Sequence, residues 1–105
     1  MTTLKDVTAQ EAHALLSGNA VLVDVREPHE QAIERIAGSL GVPLSVLSRG
    51  AGEIPKGKTA VFLCASGART RNNARALAAL ADGEAFNLAG GIMAWKRAGL
   101  PTVRG

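Results

Sequence analysis

The chain contains a single cysteine, Cys64, which excludes an internal disulfide and any zinc site assembled from several thiolates. Its two histidines, His13 and His29, lie far apart with no ligand spacing. They read as surface or capping groups, so no metal and no cofactor are expected. Aromatic residues make up 3% of the chain, namely Phe62, Phe86 and Trp95, and tyrosine is absent. That scarcity removes the stacking platform on which single-stranded nucleic acid is usually held. Net charge is +3, with Lys and Arg scattered rather than gathered into a stripe. Nucleic acid is therefore not an expected partner, and the charge suits small anions or an acidic protein. No apolar run reaches the length of a membrane span. The start, Met1 to Asp6, lacks the apolar core of a signal peptide. The expected compartment is the cytoplasm, where a free thiol persists.

Repeats, low-complexity tracts and Pro/Ser-rich linkers are also missing. At 105 residues, 47% of them hydrophobic and 20% charged, the chain reads as one domain over residues 1–105. Short apolar runs alternate with helical patterns, which predicts an α/β fold with a small, mainly parallel sheet flanked by helices.

Thr8 and Glu11 form a capping box that opens a helix carrying Ala12, Leu15 and Leu16 on one face, with Gly18 as its stop. Val21 to Asp24 is a buried strand, and Pro28 opens a short helix through Ile33. Gly38 and Gly41 mark a loop, Pro43 to Leu47 a helical turn, and Gly50 to Gly57 an exposed connection. Ala60 to Leu63 is the clearest strand, and it leads directly into Cys64. From Thr70 the period becomes helical, with Ala74, Leu77, Ala78 and Ala81 on one stripe and Gly83 at the end. Glu84 to Phe86 reads as a last strand, and Gly90-Gly91 turns the chain into a helix bearing Ile92 and Trp95.

The segment Cys64-Ala65-Ser66-Gly67-Ala68-Arg69-Thr70 thus lies between a buried strand and a helix, where ligand sites of open α/β sheets form. A tight loop of small residues there can aim several backbone N–H groups inward as an anion nest. The following helix adds its positive end, and Arg69 adds a charge. A free thiol titrates near pH ~8.5, and such surroundings lower it to roughly 3.5–7.5, which makes the nucleophilic thiolate available at neutral pH. Its sulfur is expected to lie exposed at the mouth of the loop. Arg71 and Arg75, four apart on the expected helix, suit either anion recruitment or a solvated face.

The loop from Cys64 to Thr70 resembles the active-site loop of rhodanese-domain sulfurtransferases. Val23-Asp24-Val25-Arg26-Glu27-Pro28-His29-Glu30 resembles that family's first signature. Leu88-Ala89-Gly90-Gly91, Trp95 and Gly99-Leu100-Pro101 resemble its last. Three elements in the family's order cover nearly the whole chain, and the form is similar to bacterial rhodanese domains fused to C-terminal membrane helices. The resemblance implies that Cys64 accepts a sulfane sulfur as a persulfide. Ala65, Ser66, Gly67, Ala68, Arg69 and Thr70 would bind the donor. Asp24 and Arg26 would support the loop, while Gly90, Gly91 and Trp95 would serve packing. The donor it implies is a small thiosulfate-like anion, and the acceptor a thiol, cyanide or an acceptor protein. Where the family often has Gly-His-Ile-Pro-Gly-Ala, this chain reads Glu34-Arg35-Ile36-Ala37-Gly38-Ser39, and Gly41 replaces a usual Asn.

Two other readings use the same residues. Cysteine-dependent phosphatases carry five residues between Cys and Arg, whereas four separate Cys64 from Arg69, and no carboxylate near the loop in sequence offers a general acid. A non-catalytic rhodanese-like binding module is the other, although degenerate members typically lose the cysteine that this chain keeps.

Overall fold

The computed structural model describes residues 4–47, 54–81 and 83–104. Five strands, β1 (Lys5–Val7), β2 (Ala20–Asp24), β3 (Leu40–Gly41), β4 (Thr59–Leu63) and β5 (Ala85–Leu88), form one sheet in the order β1-β5-β4-β2-β3. Every strand pairing is parallel. Among the described residues, six helices complete the α/β fold: α1 (Ala9–Leu15), α2 (Pro28–Ile33), α3 (Leu44–Leu47), α4 (Ala68–Asn72), α5 (Ala74–Leu80) and α6 (Gly91–Arg97). None of the described helices is long and apolar enough to cross a membrane.

Side-chain alternation along the strands divides the interior into two layers. Val61 and Leu63 of β4 join Leu22, Leu88, Ile92 and Trp95 on one face, beneath α1 and α6. Ala60 and Phe62 join Val23, Val25, Val42 and Leu77 on the other, and Cys64 continues that second row. Each fully buried Val, Leu or Phe contributes roughly 1.5–3 kcal/mol, and β4, buried throughout its last four residues, anchors both layers.

The capping box at Thr8 is present in both directions, Thr8 N–H to Glu11 at 2.8 Å and Glu11 N–H to the Thr8 hydroxyl at 3.1 Å. The helix from Pro28 to Ile33 has the expected bounds. Two edge strands, β1 and β3, go beyond the expected elements, and β3 occupies ground read as loop between Gly38 and Gly41. The expected continuous helix after Thr70 is broken at Asn73 into α4 and α5. The Asn73 side chain donates to the Arg69 carbonyl at 2.7 Å and competes with the backbone ladder there. α5 also ends at Leu80, short of the Gly83 stop. Part of the Gly50 to Gly57 connection, up to Glu53, lies outside the described residues; Pro55, Lys56 and Gly57 are exposed.

The connections fix where a site can form. β2 leads through α2 to β3 on one side, while β4 leads through α4 and α5 to β5 on the other. Neighbouring strands β2 and β4 therefore send their chains in opposite directions, and a crevice opens at their carboxyl ends. Cys64 and Asp24 stand at that crevice.

α6 closes on the crevice without an intervening side chain. A Cβ on Gly91, whose φ is +60°, would lie 2.3 Å from the Cys64 carbonyl oxygen and 2.6 Å from that of Ala65. Gly91→Ala is expected to lower the unfolding free energy by about 2 kcal/mol or more, through strain and displaced backbone. Chemical denaturation measures this, and a change within about 0.5 kcal/mol, the scatter of ordinary surface substitutions, would contradict the contact.

Candidate active site

The two carbonyls that Gly91 exposes are bonded by the first turn of α6. Ile92 N–H donates to the Cys64 carbonyl at 2.9 Å, and Met93 N–H to the Ala65 carbonyl at 3.2 Å. Because a trans peptide points its C=O and N–H in opposite directions, fixing the Ala65 carbonyl on α6 turns the Ser66 N–H away from it. That direction is toward the Cys64 sulfur. Gly67, with φ +94°, reverses the chain and donates its own N–H to Sγ at 3.0 Å.

The sulfur is more enclosed than the sequence suggested. Cys64 is 1% exposed, because it continues the inward row of β4 while the loop folds over it. Burial pushes the thiol up, but the N–H groups of Thr70, Ser66 and Gly67, with the Thr70 hydroxyl, outweigh it and hold the group below its ordinary value. The five-residue α4 is a short dipole, so these individual amides carry the effect.

The rhodanese-like domain family matches residues 8–98. The chain belongs to the rhodanese family. A protein of Allochromatium vinosum named sulfurtransferase is 40% identical over 85 residues, covering 81% of this chain and 79% of that one. An uncharacterized Synechocystis protein is 38% identical over 102 residues, 97% of this chain, which spans 53% of that relative's length. The crystal structure of a rhodanese-related protein from Thermoplasma volcanium matches with a TM-score of 0.84 at 27% identity, covering 96% of this chain and 99% of that one.

Around the rhodanese loop the remaining residues take distinct places. Thr70 is buried; its hydroxyl lies 3.8 Å from Sγ and donates to Asn87 Oδ1 at 2.5 Å, with the Gly67 carbonyl 3.0 Å away. Asn87 in turn donates to Asp6 Oδ1 at 2.9 Å, joining the loop to β1. Ser66 and Ala68 are exposed, and Ala65 is half-buried. Asp24 and Arg26 form a buried pair behind the loop, Asp24 accepting from the Arg26 N–H, Nε and Nη2 at 2.9, 3.1 and 2.8 Å. Arg26 Nη2 also donates to the Glu34 carbonyl at 2.6 Å, and Gln31 Nε2 donates to the Arg26 carbonyl at 2.8 Å. These bonds clamp α2 against the end of β2.

The clamp brings forward a residue that sequence reasoning assigned no role. Glu30 of α2 accepts both arms of Arg69, Nη1 to Oε1 at 2.7 Å and Nη2 to Oε2 at 2.8 Å. The Arg69 fork holds the Glu30 carboxyl down at about 2 against the opposing effect of partial burial. Glu30, more than the nearby Cys64 sulfur, raises Arg69 above its ordinary value. Thus Arg69 does stand beside the cysteine, but its charge is shared with a carboxylate. Arg71 sits on α4, apart from Arg75 on α5, and lies 4.0 Å from exposed Asp6. His13 is exposed and meets Trp95 edge-on, ring centroids 5.8 Å apart.

Two pH responses follow from these surroundings. Alkylation of Cys64 is expected to follow a titration whose midpoint lies below that of an ordinary cysteine, read from iodoacetamide rates against pH; a raised midpoint would contradict the amide cradle. Glu30, depressed in the fold, stabilises it fully above its ordinary value of 4.5 and loses that contribution as pH falls toward about 2. Glu30→Gln should therefore flatten the decline of Tm across that window, and an identical acid limb would show that the fork adds no stability.

Proposed function

We propose that this rhodanese domain is a sulfurtransferase that moves a sulfane sulfur from a thiosulfate-like donor, through a Cys64 persulfide, to an external thiol or cyanide. The observation that carries the reading is the Gly67 N–H donating to the Cys64 sulfur at 3.0 Å, within a loop whose amides favour the thiolate. The name of the Allochromatium relative supports it as well.

The chemistry divides into two half-reactions. In the first, the Cys64 thiolate attacks the outer sulfur of thiosulfate. A sulfur–sulfur bond forms to Cys64, the bond to the sulfonate sulfur breaks, and sulfite leaves with its electron pair. The persulfide anion that results is stabilised by inward N–H groups from Ala65 through Thr70, while Arg69 lies beside the donor. Asp24 and Arg26 act on the loop only by holding α2 and the end of β2. In the second half-reaction an acceptor nucleophile takes the terminal sulfur and the thiolate is regenerated. Cys64 is the sole cysteine of the sequence, so discharge is intermolecular. A small anionic donor and a thiol-bearing acceptor, protein or small molecule, are the partners this scheme requires, and a reducing cytoplasm suits it.

Hydrolysis of a phosphate ester is less well served. Its leaving alkoxide needs a protonated acid near neutral pH, and Glu30, the carboxyl at the loop, stays ionised down to about 2.

Intact mass after thiosulfate treatment should rise by one sulfur atom, return on reduction, and stay unchanged in Cys64→Ser. No gain in the parent protein would refute thiosulfate as a donor, and an equal gain in the variant would refute Cys64 as the carrier.

A further inference from the structure

The carboxylate on Arg69 bears on which donors this site takes. Within the crevice the Cys64 thiolate carries one negative charge, Arg69 one positive and Glu30 one negative. Asp24 and Arg26 cancel each other behind the loop. Both guanidinium arms that a donor's sulfonate oxygens would otherwise meet are occupied by Glu30 Oε1 and Oε2. A bidentate fork of this kind satisfies the geometry that Arg would offer an incoming oxyanion. The donor therefore meets a positive group already compensated, next to a thiolate of its own sign.

We infer that Glu30 is a specificity-determining residue of this site, selecting singly charged sulfane donors over the thiosulfate dianion by neutralising Arg69. The inference rests on the sulfur-transfer reading and names the donor class within it: monoanions with a transferable outer sulfur, such as organic thiosulfonates or persulfides. For a thiosulfonate the step balances simply. The Cys64 thiolate bonds the outer sulfur, the bond to the sulfonyl sulfur breaks, and a sulfinate leaves with the electron pair. Total charge is minus two on both sides, against minus three for thiosulfate. The extra charge must be brought against the thiolate and the Glu30 carboxylate together, and Glu30 remains ionised at every working pH.

The test compares kcat/KM for thiosulfate and for benzenethiosulfonate in the parent protein, Glu30→Gln and Glu30→Asp. Glu30→Gln keeps the shape and removes the charge. It should raise kcat/KM for thiosulfate relative to the thiosulfonate by about fivefold or more, chiefly through KM, the order expected for one charge removed near a dianion at a partly solvated site. Glu30→Asp keeps the charge and should show no such gain. An unchanged ratio, a parallel loss on both donors, or an equal gain in Glu30→Asp would overturn the inference and leave Glu30 as a brace for Arg69. In the parent protein, with no substitution, methanesulfonate should compete at least as well as sulfate, and stronger competition by sulfate also contradicts it. If neither donor loads the parent protein with sulfur, the sulfurtransferase reading itself fails. Loading by both donors with no change in the ratio defeats the charge selection alone.

Discussion

The chemistry of this domain depends on a backbone contact in which no side chain takes part. The first turn of α6 bonds the carbonyls of Cys64 and Ala65, and it reaches them only because Gly91 has no Cβ. Once those carbonyls face α6, peptide planarity sends the following N–H groups the other way. The sulfur then sits within a ring of donors although it is almost wholly removed from water. Removal from water alone would keep the thiol protonated. The amides oppose that effect and bring the thiol below its ordinary value, so the position of one helix tunes the ionisation of an atom on a different element.

A second constraint arises from topology. At the β2–β4 switch point the loops that follow the two strands come side by side, Val25 N–H bonding the Leu63 carbonyl at 3.0 Å. The buried Asp24–Arg26 pair and Gln31 then fix α2 on its strand, and α2 delivers Glu30 to Arg69 from 39 residues away. Structural ion pair and site ion pair are thus consecutive links. The first is sealed from solvent; the second is partly open and lies beside the Cys64 loop.

The sequence carried much of this in legible form. Thr8 and Glu11, Pro28, and the run from Ala60 to Leu63 announce their elements by local chemistry alone, because caps, fixed φ and dense apolar strands act over a few residues. The loop from Cys64 to Thr70 was legible for the same reason. β1 was not, since Lys5 and Asp6 of this edge strand are exposed and leave no alternating pattern. The break at Asn73 was equally silent: an asparagine bonding back to Arg69 has the same appearance in sequence as one facing water. Most consequential are the pairings of Glu30 with Arg69 and of Asn87 with Asp6 and Thr70. Their partners are brought together by sheet order and helix register, and neither quantity is written in local spacing. The enclosure of Cys64 belongs to this class too, since it follows from the row of β4 on which the residue falls.

The most direct test of the account is a crystal structure of the thiosulfate-treated protein. It should show a second sulfur bonded to Cys64, pointing into the loop and within hydrogen-bond distance of N–H groups between Ala65 and Thr70, with α6 still bonded to the Cys64 and Ala65 carbonyls. An unmodified Cys64, or an added sulfur turned toward Phe62 and Leu77 with the loop amides facing solvent, would contradict it.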